Sequence, residues 1–134
     1  MKPLITALCV ALGLMACAAK SPRTTMLPNN HPAFTSMELG DGFDDTVLTE
    51  PAALKEALAI LENSPVVAKR SDQIDFVEMQ KLRLVHPDPK ESKIYIIDLQ
   101  SGHARILSKT MVPVYKLSDP KRFKAIIETS GKPK

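Results

Sequence analysis

The chain has 134 residues, a net charge of +3, 25% charged and 44% apolar side chains, the balance of one ordinary globular domain rather than of a disordered chain or a strongly basic nucleic-acid binder. Two cysteines, five glycines and no tryptophan leave little material for a disulfide framework, a glycine-rich phosphate cradle or an aromatic stacking platform.

Met1-Lys2 makes a positive start, and residues 4–15 (LITALCVALGLM) form an uncharged, predominantly apolar run. A run of about a dozen such residues suits a signal-peptide core and falls short of the roughly 20 that a membrane-spanning helix needs. It ends in Leu14-Met15-Ala16-Cys17, which resembles the lipobox of bacterial lipoproteins. That resemblance implies removal of residues 1–16, a diacylglyceryl group on the Cys17 thiol and commonly an acylated new amino terminus, hence a lipid anchor in the cell envelope. Ala18, in place of Asp, resembles the pattern that Gram-negative bacteria send on to the outer membrane, facing the periplasm. Ala16-Cys17-Ala18 also fits the A-x-A pattern of the general signal peptidase, so ordinary secretion stays open. Because Cys9 lies in the apolar run, Cys17 would be the mature chain's sole cysteine, without a partner for an internal disulfide.

Residues 17–36 are rich in Ser, Pro, Thr and Asn, show no hydrophobic period, and read as a lipid-anchored flexible tether spanning a few tens of ångströms. A globular domain over 37–134 is expected to follow. Thr46-Val47-Leu48 is a short strand candidate, and Thr49-Glu50-Pro51 a helix start, with Thr49 as the capping side chain and Pro51 in the first turn. Leu54, Ala57, Leu58 and Leu61 then form one apolar stripe, which Asn63-Ser64-Pro65 ends.

Strands are expected at 79–86, where Lys81 and Arg83 alternate with Leu82 and Leu84, and at 93–99 (KIYIIDL), whose two apolar faces place it centrally in a sheet. Ser101-Gly102 turns the chain into a strand at 103–107. A last strand at 111–117 contains Pro113, which puts it at an edge or breaks it. Leu117-Ser118-Asp119-Pro120 then repeats the helix-start grammar ahead of Phe123, Ile126 and Ile127, echoing Leu48-Thr49-Glu50-Pro51. The order predicts an α+β domain: an antiparallel sheet of four to five strands with two helices on one face. Acidic residues near 38–50 and basic ones at the far end read as solvated surface, with the two ends neighbours in space.

Candidates for chemistry are sparse. His31, His86 and His103 share no metal-ligand spacing, so neither a metal nor a cofactor is expected. Asp41-Gly42-Phe43-Asp44-Asp45 lacks the regular ligands of a calcium loop and reads as a turn. Lys121, Arg122 and Lys124 form the sharpest binding-surface candidate, suited to anionic lipid, glycan or an acidic protein. The leading expectation is a non-enzymatic, membrane-tethered binding or accessory module of the envelope, with a protein partner and no nucleic acid. The competing class is an envelope enzyme built from His86, Asp88, Asp98 and His103, or an enzyme inhibitor presenting the loop 87–92.

Overall fold

A computed structural model describes residues 24–41 and 45–134. Its elements in chain order are β1 (Ser36–Gly40), β2 (Thr46–Leu48), α1 (Pro51–Glu62), β3 (Val66–Ala68), β4 (Met79–Val85), β5 (Lys93–Asp98), β6 (His103–Ile106), β7 (Val114–Lys116), α2 (Pro120–Ser130) and β8 (Lys132–Pro133). The fold is α+β, with two helices and an antiparallel sheet among the described residues, but the sheet has eight strands rather than four to five. Their order is β3-β7-β6-β5-β4-β1-β2-β8.

The three strands beyond expectation are β1, β3 and β8. The last two are only three and two residues long, too short to show a hydrophobic period; they exist because a neighbouring strand offers a ladder. Pro133 can sit in β8 because β8 is an edge, where a missing N–H breaks no inner ladder. β5 is central, as its two apolar faces predict. The expected strand at 111–117 shrinks to β7, which starts only after Pro113 and lies between β6 and β3 rather than at an edge.

Pleat and register sort the side chains. Leu48 pairs with Met37, Met37 with Leu84, Leu82 with Tyr95, and Ile97 with Ala104, so these residues share one face. They form a single buried cluster with Leu54, Ala57, Leu58 and Leu61 of α1 and Phe123, Ile126 and Ile127 of α2. The helices lie on that face. On the other face the segment 69–78 crosses from β3 to β4, and there Ile96 and Val114 are also buried. Phe76 lies 5.5 Å below the Arg105 guanidinium.

Both helices begin the same way. Glu50, not Thr49, caps α1, its carboxylate accepting from Ala53 N at 2.8 Å, and Asp119 caps α2 by accepting from Arg122 N at 3.1 Å. A carboxylate beats a hydroxyl here because it adds charge at the positive helix end. Each helix opens on proline and is followed by a short strand. β3, after α1, pairs with β7, which leads into α2; β8, after α2, pairs with β2, which leads into α1. The sequence echo therefore has a topological counterpart. Lys134 reaches Glu38 at 3.2 Å and Asp45 at 4.0 Å, so the acidic and basic ends are neighbours.

The expected tether over 17–36 needs the largest correction. Within it, Leu27 is fully buried, and Met26 and Phe34 are nearly so. Met26 N donates to Ser64 O at 2.8 Å, and the buried Tyr95 hydroxyl donates to Met26 O at 3.1 Å. Pro, Asn and Thr hid three large apolar residues that the core claims. Residues 24–36 thus pack with the rest of the described fold. We expect Leu27→Ala to destabilise the domain by about 2–5 kcal/mol, read as a lower denaturant midpoint. An unchanged midpoint would restore the tether reading.

Candidate functional site

Cys17 lies outside the described residues, as do residues 42–44 of the acidic turn. Asp45, at the far end of that turn, sits close against Gly40, where a side chain at 40 would collide with the Asp45 backbone. Among the described residues no group of His, Cys, Asp and Glu is arranged to hold a metal ion.

His86 and His103 occupy opposite ends of the central strands. His86 follows β4 beside the start of β5, while His103 pairs with Asp98 at the end of β5. Five residue steps of extended chain separate those ends by about 17 Å. The four residues of the expected catalytic set therefore divide into two pairs, each with a local structural task. His86 Nδ1 accepts from Asp88 N at 3.0 Å, and Asp88 in turn accepts from Lys90 N at 3.0 Å, shaping the turn 86–92.

Asp98 is fully buried and gathers backbone donors: Val77 N at 2.8 Å, Gln100 N at 2.9 Å and Ser101 N at 3.2 Å. It closes the β5–β6 turn, whose Gly102 has φ 82°, and pins the crossing segment 69–78 to the sheet. Burial by itself would raise its pKa, but the N–H groups of Val77, Ser101, Gln100 and Glu78 outweigh it and hold the carboxyl below its ordinary value. His103 beside it is held below the usual imidazole value by burial and then by the Lys116 ammonium, with Asp98 opposing. Lys116 itself donates to Ser101 O.

Lys121, Arg122 and Lys124 are all exposed on α2, where Lys121 and Lys124, three apart, share a side of the helix. Residues two apart on a helix point about 200° away from each other. Arg122 turns to α1 and pairs with both Glu56 oxygens, at 2.5 and 2.7 Å, whereas Lys124 lines a hollow of about 430 Å³ together with Asp41 and Glu78. The buried Gln80 Oε1 in that hollow has no hydrogen-bond partner among the described residues. Helix geometry turns Arg122 to α1 and away from the side that carries Lys124.

The sequence reading missed a groove of about 410 Å³ between the segment 31–34 and α1, lined by His31, Phe34, Leu54, Leu58 and Glu62 among others. His31 Nε2 meets Glu62 Oε2 at 2.6 Å, and the His31 and Phe34 rings stack at 5.5 Å. Only the packing of 24–35 against the domain creates it. Comparison with protein-family models, curated proteins and solved structures finds no match to this chain. No helix among the described residues is long and apolar enough to cross a membrane.

Because the fold depresses the Asp98 pKa, its stabilising contribution is present above the unfolded value, about 4, and is lost as pH falls through the lower folded value. At pH 7, we expect Asp98→Asn to be less stable than the parent, and the difference to shrink as pH drops below about 4. Denaturant midpoints at several pH values measure this; a gap independent of pH refutes it.

Proposed function

We propose that the chain is a lipoprotein of the bacterial cell envelope, cut before Cys17, anchored through lipid on that residue, and serving as a non-enzymatic binding or accessory module for an envelope protein. The observation that carries the reading is Leu14-Met15-Ala16-Cys17 at the end of an apolar run of signal-peptide length, followed by Ala18. Two or more acyl chains on one terminus suffice for stable anchoring, and Ala18 supports sorting to the outer membrane with the domain in the periplasm.

The chemistry-bearing side chains favour a binding module over an enzyme. His86, Asp88 and Asp98 each hold a turn, Arg122 joins the helices, and His31 clasps Glu62. These are structural duties at separate places in the fold.

Expression of the full chain in a bacterial host with labelled palmitate tests the anchor. The parent should take up label and sediment with membranes, and Cys17→Ser should lose the label and leave the membrane fraction. Retention of the Cys17→Ser variant in membranes, or an unlabelled parent, defeats the proposal.

A further inference from the structure

If Cys17 carries the lipid, only seven Cα-to-Cα steps separate it from Thr24, so the first described residue lies within about 25 Å of the anchoring site however the intervening chain runs. Where that chain joins the fold is therefore informative. Val66 N donates to Thr24 O at 3.3 Å, and Thr25 bridges to Pro65. The chain joins alongside β3, the outermost strand on one side of the sheet.

The surface around that junction has two features that a lipid interface selects. Val67 on β3, Leu107 after β6 and Met111 before β7 are 49%, 46% and 59% exposed. They lie toward one corner: Ser71 Oγ donates to Met111 Sδ at 3.3 Å, Lys69 and Pro113 share a hollow with Thr24, Pro65 and Val66, and the antiparallel register of β6 with β7 brings Leu107 beside the residues just before β7. The residues of this corner, 64–73 and 105–113, carry Lys69, Arg70, Arg105 and Lys109 against Asp72 alone, and Asp72 is held by Arg70 at 2.6 Å. At the opposite edge, by contrast, Lys134 lies against Glu38 and Asp45.

We propose that this corner docks on the bilayer, Val67, Leu107 and Met111 entering the headgroup layer while Lys69 and Lys109 contact anionic phospholipid. Apolar side chains combined with cations on one face are the composition of a peripheral membrane contact. A tether this short keeps the docking face at high local concentration, so weak individual contacts suffice. Docking fixes the orientation of the domain, leaving the β8 edge and the far end of α2 turned away from the membrane for a protein partner. The proposal rests on lipidation of Cys17.

The chain contains no tryptophan, so a single introduced one reports position. Met111→Trp, Val67→Trp and, as a far-side control, Glu128→Trp are purified as the full expressed protein from bacterial membranes. Each is reconstituted in vesicles of brominated phosphatidylcholine, alone or mixed with phosphatidylglycerol. The two corner reporters should be quenched and blue-shifted in the mixed vesicles and much less so in the neutral ones, while Glu128→Trp stays unquenched in both. Lys69→Gln and Lys109→Gln, both at exposed sites, should each lower the docked-to-undocked ratio about fivefold without changing palmitate uptake. Label on Cys17 with equal quenching at all three reporters, or with no effect of phosphatidylglycerol, overturns the docking and leaves the anchor standing. Absence of label overturns both. A corner that takes up a protein instead of lipid shows itself as unquenched reporters in these protein-free vesicles, and also overturns the docking.

Discussion

Ser64 is the residue on which three separate parts of the chain converge. It is fully buried between the end of α1 and the start of β3. Its hydroxyl donates to Ile60 O at 2.7 Å, closing the last turn of α1, and accepts from Ser118 N at 3.1 Å, just before the cap of α2. Its carbonyl accepts from Met26 N at 2.8 Å. A buried hydroxyl is tolerated only when its hydrogen bonds are made, and here making them fastens the two helices and the first described segment in one place. Ser118 returns the contact through its own hydroxyl to Ile60 O. The pairing of β3 with β7 agrees with this knot, since it holds the strand after α1 next to the strand before α2.

The same knot sets how far the domain stands from its proposed anchor. With residues 24–35 outside the fold, a lipid on Cys17 would leave the domain free to swing at some distance. Leu27 and Met26 in the core, with the Tyr95 hydroxyl on Met26 O, remove that freedom. Burial pushes the Tyr95 phenol up to about 12, with Tyr115 adding to it, so the hydroxyl keeps its proton and its bond to Met26 across the physiological range. Packing of three apolar side chains would thus cut the stretch between a lipid on Cys17 and the fold from roughly twenty residues to seven.

Charge shows how composition and position differ. Net +3 says little, and consecutive basic letters in α2 suggested a binding surface. The fold turns Arg122 to Glu56 and Lys124 to a hollow bearing Asp41 and Glu78, and it sets Lys69 and Arg70 directly after β3. Such exposed pairs add little to stability. Their consequence lies in the field each face presents.

What the sequence by itself determined is whatever depends on near neighbours along the chain. The two helices were legible from apolar stripes and from proline in the first turn, β5 from its two apolar faces, and the turn at 101–102 from its glycine. Tertiary structure alone decided the features that need a distant partner. β3 and β8 exist because other strands offer ladders, and Glu50 displaced Thr49 as cap because the local geometry chose the charged acceptor. The segment 24–35 looked like a linker because its three core residues obey no period; whether an aperiodic Leu27 is buried depends on the core that distant parts of the chain assemble. Separation of His86 from His103, likewise, is the length of a strand, and no spacing of letters records it.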